Sequence, residues 1–234
     1  ARIPGITITA LEVSGAREVE QDEVRDAALS ALSGSYFFLI PRANALVFPK
    51  EQMTAAITNA FPEVAEVSIS REGWNALRIS VSERAPVALW CDELPNADGR
   101  CYFVDKKGYV FAEAIDGEGH IRFYGALSGL PQEAGGPIGN TYIPEDFAAL
   151  KSFVEEVSST ARRTPSSVLV EESGDVSLTF LQGGVLRFVR SADRHALLEN
   201  IASVFSARPI GADEALEYAD FRFGDKVYVK FLEH

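Results

Sequence analysis

A change of sequence periodicity at residues 77–90 constrains the fold of this chain more than any other feature. The first part of the stretch alternates apolar and polar side chains, as a half-buried β-strand does. Glu83, Arg84 and Pro86 interrupt the alternation, and a second apolar strand follows them. Helical spacing occurs before this point, and strand patterns dominate after it. We therefore predict two domains joined near residue 84, with these three residues as the interdomain hinge.

The length and charge of the chain limit the kinds of protein it can be. Its 234 residues allow two modest domains, and 47% hydrophobic residues are ordinary for a globular protein with a core. A formal net charge of -12 disfavours nucleic acid and anionic lipid as partners. No run approaches the roughly 18 apolar residues of a membrane span, and no signal peptide is visible. We expect an excised soluble part of a longer protein, with residues 232–234 resembling the start of an affinity tag.

The first 84 residues predict a small α+β domain. Apolar spacing indicates a strand over residues 6–13, a helix over 24–32, a second helix over 49–60, and two strands that end at residue 81. The resulting order, β-α-α-β-β, is that of a POTRA module. In such a module a small sheet buries one of its faces under two helices.

The remainder, residues 85–231, predicts a mixed, mainly antiparallel β domain with flanking helices. Residues 168–189 fit three strands joined by glycine-containing turns. Ser191 is expected to cap a helix, and residues 218–231 close the chain as a hairpin. A glycine-rich loop spans residues 125–139, and its role is open. The predicted fold class is therefore α+β in both domains.

The two cysteines, Cys91 and Cys101, flank a segment rich in turn-forming residues. Two strands joined by such a loop would bring the cysteines opposite each other, and a disulfide would then indicate an oxidising compartment. The alternative is a pair of unrelated buried thiols. Zinc is not expected, because two cysteines and three scattered histidines lack the spacing of metal ligands.

No active site is predicted from the residues. His120 lies in a glycine-rich turn and His195 lies in the first turns of a helix, and neither belongs to a metal or nucleophile motif. The glycine pairs lack the lysine that follows in a phosphate-binding loop, and a Gly-x-Ser-x-Gly motif is absent. We predict no catalytic residue, no metal ligand and no cofactor.

The last predicted strand, residues 226–231, offers a surface for a partner. A strand at the end of a chain often lies at the edge of a sheet, where unpaired backbone groups can bind another chain. The same pattern also fits a strand that is internal or covered. The preceding strand is expected to place Phe221 and Phe223 on one face, and Asp220 and Arg222 on the other.

Three motifs, in this order along the chain, resemble the FtsQ/DivIB family of bacterial cell-division proteins. The first is the Val-x-Glu-Arg-x-Pro-Val-Ala run of residues 81–88, and the second is the aromatic strand, Val-Asp and glycine turn of residues 102–111. The third is the Asp-x-Arg strand and final strand of residues 219–230. The resemblance covers most of the chain. Residues 112–163 match the family only in rhythm, and the cysteine pair departs from its pattern.

The resemblance implies both an architecture and a role. It implies a single-pass membrane protein whose POTRA domain, residues 1–84, lies near the membrane and whose β domain, residues 85–231, lies beyond it outside the cytoplasm. It also implies a non-enzymatic scaffold or regulator of division. This scaffold would bind FtsB/DivIC-type and FtsL-type coiled-coil proteins and link them to septal peptidoglycan synthases.

In the family, a partner adds a strand to the last strand of the β domain. The implied partner-binding residues lie on or beside that strand: Arg222, Lys226, Val227, Tyr228, Val229, Lys230 and Phe231. Two other interpretations stay open. A POTRA-containing outer-membrane assembly or secretion factor would carry tandem POTRA modules, and an extracytoplasmic enzyme would need a polar pocket built from separated segments.

Overall fold

The structure is a computed structural model that describes residues 7–36, 40–92, 99–115, 117–128, 136–207, 216–224 and 226–232. The chain divides into two compact units, Ala1–Ala85 and Pro86–His234. Each unit contains both helices and strands, and the predicted α+β fold class is confirmed.

The first unit contains a three-stranded sheet and two helices. Its elements are β1 (Ala10–Ser14), α1 (Gln21–Ala31), β2 (Ser35–Tyr36), β3 (Ile40–Pro41), α2 (Lys50–Ala60), β4 (Val64–Glu72) and β5 (Ala76–Glu83). β5 lies in the centre of the sheet, parallel to β1 and antiparallel to β4. β2 and β3 form a separate short pair. The main elements follow the β-α-α-β-β order that the sequence predicts.

The core of the first unit lies between the sheet and the two helices. Val24 and Ala28 of α1 are fully buried, and so are Met53 and Ile57 of α2. These residues are four positions apart, so each pair lies on one face of its helix. They form one hydrophobic cluster with alternate residues of β4 and β5. The helical and strand periodicities of the sequence therefore meet in a single core.

Backbone contacts determine where β1 begins and ends. It begins later than the predicted Ile6, which lies outside the described residues, because Ile8 donates its N–H to the carbonyl oxygen of Ala43 at 2.7 Å. At the other end, Gly15 has a φ of 89°. A Cβ at Gly15 would lie 2.1 Å from the carbonyl oxygen of Val81. The chain can therefore turn away from the sheet here only with glycine.

The second unit is built on a nine-stranded sheet. Its elements are β6 (Ala88–Cys91), β7 (Cys101–Val104), β8 (Val110–Glu113), β9 (Arg122–Tyr124), β10 (Leu127–Ser128), β11 (Thr141–Tyr142), α3 (Phe147–Ala161), β12 (Pro165–Val170), β13 (Asp175–Phe180), β14 (Val185–Val189), α4 (Arg194–Ala207), β15 (Leu216–Phe223) and β16 (Lys226–Phe231). The order across the sheet is β16-β15-β14-β13-β12-β9-β6-β7-β8. Neighbours are antiparallel except at β14–β15, β12–β9 and β9–β6.

The two helices of this unit pack on one face of the sheet. Leu150, Phe153 and Val154 of α3 are buried in one cluster with Ile201 of α4 and with alternate residues of the strands. The burial pattern of β13 alternates strictly, as expected for a strand with one covered face. A smaller apolar cluster around Leu89 involves the intervening residues of β6 and β9.

Two local features of the second unit concern residues singled out in the sequence. Asp193, rather than the predicted Ser191, caps α4, since its Oδ1 accepts hydrogen bonds from the N–H groups of His195 and Ala196 at 3.0 and 3.1 Å.

Cys91 and Cys101 lie directly opposite each other in the β6–β7 pair and form a disulfide. Part of the glycine-rich loop of residues 125–139 lies outside the described residues.

Candidate partner-binding edge of the β sheet

β16 is an edge strand of the nine-stranded sheet. It pairs antiparallel with β15, with Val229 opposite Ala219 and Tyr228 opposite Asp220. On its other side, no strand of the described part of the chain pairs with it. An edge strand presents alternate N–H and C=O groups outward, so β16 carries the backbone groups that an added strand needs.

The opposite edge strand of the same sheet, β8, is covered at its start. The N–H of Val110 donates to the carbonyl oxygen of Asn140 at 2.9 Å, and the N–H of Gly139 donates to the carbonyl oxygen of Val110 at 2.8 Å. Tyr109 and Thr141 form a further antiparallel bridge. The end of the glycine-rich loop and the residues after it therefore occupy the outer side of β8 at Val110.

The side chains of β16 fall into two groups. Val227 and Phe231 are half-buried and pack against the large core cluster. Tyr228 is 51% exposed and Val229 is 36% exposed, while Lys226 and Lys230 are also exposed. The strand is thus anchored to the core by one set of side chains and presents the others to solvent.

The hairpin of β15 and β16 carries an exposed aromatic pair that the sequence analysis missed. Phe223 is 56% exposed, and its ring lies edge-to-face with that of Tyr228, with centroids 5.3 Å apart. The prediction that Phe223 shares a face with the buried Phe221 is wrong. A register shift between Asp220 and Phe223 rotates the end of β15 and places Phe223 opposite Lys226. No sequence signal marks this bulge.

Arg222 lies beside the edge and is bound within the sheet. Its Nε and Nη2 donate to the two carboxylate oxygens of Asp220 at 2.9 and 2.7 Å, and its Nη1 donates to Oδ2 of Asp175 at 2.6 Å. The hydrogen bond from Arg222 lowers the pKa of Asp220 despite the opposing effect of burial. The same bonds, first to Asp220 and then to Asp175, raise the pKa of Arg222. This guanidinium therefore connects β13 to β15.

Lys230 is also paired within the chain. Its Nζ lies 2.7 Å from Oε2 of Glu217 on β15, and this hydrogen bond raises the pKa of Lys230. An acidic group of a partner would therefore have to compete with Glu217 for this ammonium. Lys226, at the start of the strand, is exposed.

Two of the three predicted hinge residues are bound to the first unit. The carboxylate Oε1 of Glu83 accepts hydrogen bonds from the N–H groups of Arg17, Glu18 and Val19 at 2.8, 2.9 and 3.1 Å. Burial raises the pKa of Glu83, but these backbone hydrogen bonds outweigh it and the net shift is downward. Arg84 donates from Nε to the carbonyl oxygen of Pro62 at 2.9 Å.

Pro86, the third predicted hinge residue, is exposed and begins the second unit. The two residues between Glu83 and Pro86 therefore connect a side chain that is hydrogen-bonded to the backbone of the first unit with the first residue of the second unit. The structure gives the geometry of Glu83 and Arg84, and a hinge role for all three residues stays a prediction.

The histidines considered in the sequence lie apart from this edge. The ring of His120 lies 5.8 Å from that of Phe103 in an edge-to-face contact, and its Nδ1 is buried without a hydrogen-bond partner among the described residues. His195 is exposed on α4 with Nε2 3.8 Å from Oε1 of Glu199.

The described part of the chain contains no group of three potential metal ligands. It also contains no helix with the length and apolar character needed to span a membrane.

Comparison with known proteins first identifies the class of domain in the first unit. Residues 6–84 match the family model of the POTRA domain, FtsQ-type, so the first unit is a POTRA domain. The chain is also 25% identical over 227 residues to the cell division protein FtsQ of Geobacter sp. (strain M21), an alignment that covers 96% of this chain and 76% of the relative. Together these matches support the assignment to the FtsQ/DivIB family of cell-division proteins that the motifs suggested. Similarity to FtsQ implies a membrane-associated cell-division protein.

Proposed function

We propose that this chain is the extracytoplasmic part of a non-enzymatic division scaffold that follows a single membrane span. Its β16 edge receives a strand from an FtsB/DivIC-type coiled-coil protein, in a complex that also contains an FtsL-type protein. Through these partners the scaffold is linked to septal peptidoglycan synthesis. The finer parts of this proposal, the partners and the mode of binding, rest on the geometry of the edge together with the family assignment.

The observation that carries the proposal is that β16 is open while β8 is covered. An exposed edge invites unwanted pairing, and natural proteins cover or disrupt edges for that reason. Here residues 139–141 cover the start of β8, whereas no described strand lies outside β16. An edge that stays open while the other is partly covered is suited to strand addition.

The side chains around β16 favour an apolar contact over an electrostatic one. Tyr228 and Phe223 form an exposed aromatic pair, and aromatic residues are enriched among those that dominate binding energies. Lys230 is paired with Glu217, and Arg222 is paired with Asp220 and Asp175. We therefore propose that the aromatic pair and the backbone supply most of the affinity, with Lys226 as the exposed cation nearest to the turn.

Amide hydrogen exchange tests the mode of binding directly. In the free chain, the β16 amides that point away from β15 should exchange quickly, because no strand of the described residues pairs with that side of β16. Addition of the cognate soluble coiled-coil partner should slow exchange at these amides. The amides of β8 serve as an internal control and should not change. A partner that binds tightly but leaves every β16 amide unprotected would show that it binds elsewhere or without strand addition.

A calorimetric titration tests the side chains. Tyr228→Ala should weaken partner binding by about 2 kcal/mol, or roughly 30-fold in Kd, because it removes one of the two rings of the aromatic pair. The matched control is Leu181→Ala, which also truncates an exposed apolar residue of the second unit but lies in the turn after β13. Equal affinities for the Tyr228→Ala variant and the unmodified chain would remove Tyr228 from the proposed site.

A further inference from the structure

Three exposed apolar side chains of the first unit lie on two loops, and we call them together the loop patch. Trp74, in the turn between β4 and β5, is 67% exposed. Leu46 and Val47, in the loop between β3 and α2, are exposed as well. The only other large exposed apolar residue in the described part of this unit is Leu29, which is on α1. The exposed apolar surface is therefore concentrated on these two loops.

Both loops bind the short segment through which the chain leads into β1. Thr7 pairs with Asn44 in an isolated antiparallel bridge. On the other side, the N–H of Thr9 donates to the carbonyl oxygen of Asn75 at 2.8 Å, and Nδ2 of Asn75 donates to Oγ1 of Thr9 at 3.1 Å. Trp74 directly precedes Asn75 in sequence, and Leu46 and Val47 lie two and three residues after Asn44. The patch thus lies at the end of the unit where the chain arrives from its N-terminal side.

The chemistry of the loop patch fits the interface between a membrane and water. The guanidinium carbon of Arg71 lies 5.8 Å from the centroid of the Trp74 ring. Tryptophan, with an apolar ring and a polar N–H, is enriched at the level of lipid headgroups, and arginine places its charge there while its stem stays apolar. The nearby Arg78 is already paired with Glu12 and Glu72, so it adds little free charge.

We propose that the loop patch contacts the headgroup region of the membrane and thereby orients the POTRA domain on the lipid surface. The proposal rests on the membrane-proximal location of this unit in the proposed function. Because the net charge of the chain is -12, general attraction to anionic lipid does not drive this contact. Shallow insertion of Trp74, Leu46 and Val47 drives it, so it forms equally on zwitterionic lipid and resists salt.

The test uses the intrinsic fluorescence of the full chain held on phosphatidylcholine vesicles. The chain has two tryptophans, and Trp90 is buried with its Nε1 bonded to the carbonyl oxygen of Gly125. An N-terminal hexahistidine extension on nickel-chelating lipid supplies the proximity that a preceding membrane span would give, since tethering raises the effective concentration of a weak contact. A C-terminal hexahistidine chain on the same vesicles is the control for orientation.

Spin labels placed just below the lipid headgroups should quench Trp74 in the N-terminally tethered chain. An interfacial side chain lies within the outer 5–10 Å or so of the bilayer, so a loss of about half of the Trp74 emission is expected. The Trp74→Phe variant leaves only Trp90 and should show almost no quenching. The combined Leu46→Ser and Val47→Ser variant should lower the quenching of Trp74, while Leu29→Ser on α1 should leave it unchanged.

Two outcomes would overturn the proposal. One is the absence of quenching in the N-terminally tethered chain, and the other is equal quenching from both tethers, which would mean that the lipid contact does not depend on this end of the unit. These outcomes are separable from failure of the strand-addition proposal. Titration of the soluble partner in the absence of vesicles reports on β16 alone, and Trp74→Phe should not alter it.

Discussion

The two edges of the nine-stranded sheet differ in how they end. At β8 the chain folds back on itself, and backbone hydrogen bonds join Val110 to Asn140 and to Gly139. At β16 the sheet ends with the last strand of the chain, outside which no described strand lies. Both edges face the same need to avoid unwanted pairing. Among the described residues, backbone hydrogen bonds from the chain itself meet this need only at the start of β8, while β16 carries two exposed lysines and keeps its outer side free of a pairing strand.

The two ends of the sheet are also stabilised by different means. Near β8 the disulfide joins β6 to β7, and the hydroxyl of Tyr142 donates to the carbonyl oxygen of Tyr124 at 2.7 Å in the core. Near β16 the apolar anchoring by Val227 and Phe231 is joined by a polar connection from Arg222 to Asp175 and Asp220. The covered end of the sheet thus has a covalent bond in addition to apolar burial, and the open end has ion pairs that stay partly exposed.

The largest expected effect comes from truncating the core residue that follows the segment covering the start of β8. Tyr142 is fully buried and packs edge-to-face against Phe123 and Phe147. Tyr142→Ala should lower the free energy of unfolding by about 3–5 kcal/mol, as large-to-small changes of buried aromatics do. Tyr142→Phe, which loses only the hydroxyl bond, should cost about 1–2 kcal/mol. Urea unfolding curves measure both, and equal losses for the two variants would contradict a packing role.

The next effect concerns the covalent bond at the same end. Replacing Cys91 and Cys101 together by alanine should lower the free energy of unfolding by about 2–3 kcal/mol, because the unfolded chain regains the freedom of a loop this short. Partner binding at β16 should be unchanged under conditions where the variant is folded, since the disulfide joins β6 to β7 at the other end of the sheet. A fall in partner affinity in the double variant under native conditions would show that the two edges are coupled.

The two edges also differ in how far the sequence could predict them. Alternating side chains identified β15 and β16, since a period of two is a local property. The cover on β8 depends on contacts between residues 109–110 and residues 139–141, which no local pattern reports. The bulge that exposes Phe223 and the pairing of Lys230 with Glu217 are likewise set by register. Composition and motifs therefore predict the fold class and the position of the edge strand β16. Which side chains around β16 are available to a partner can be determined only from the structure.

A smaller effect is expected from breaking the polar connection at the open end. Arg222→Met keeps the length of the side chain but leaves the buried Asp220 without its main donor. Because Arg222 is partly exposed and water can replace it in part, the loss should be about 1–2 kcal/mol in the free energy of unfolding. Urea unfolding at neutral pH measures it.

Acid unfolding separates this charge effect from a loss of packing. The pKa of Asp220 in the folded chain lies below its usual 3.8, so its stabilising contribution is fully present above pH 3.8 and is lost as pH falls through the lower, folded-state pKa. The unmodified chain should therefore lose stability over that acidic interval, and Arg222→Met should lose less there. Identical slopes against pH for the two proteins would contradict the assignment of the shift to Arg222.

The smallest expected effect tests whether Lys230 can serve a partner at all. Glu217→Gln removes the carboxylate that holds the Lys230 ammonium at 2.7 Å and so releases this cation at the open edge. If the added strand carries acidic side chains, partner affinity should rise by no more than about fivefold at low salt, the range of an exposed ion pair. The gain should vanish at high salt because mobile ions screen exposed charges.

The matched control for Glu217→Gln is Glu12→Gln, which removes one negative charge from the first unit, where Glu12 faces Arg78 at 3.4 Å. Both changes alter the net charge of the chain equally, so a long-range effect would raise the affinity of both variants alike. A gain confined to Glu217→Gln would place an acidic group of the partner beside Lys230. No gain in either variant would leave the open edge as a surface recognised through its backbone and the Phe223–Tyr228 pair alone, in contrast to β8, whose backbone is already bonded within the chain.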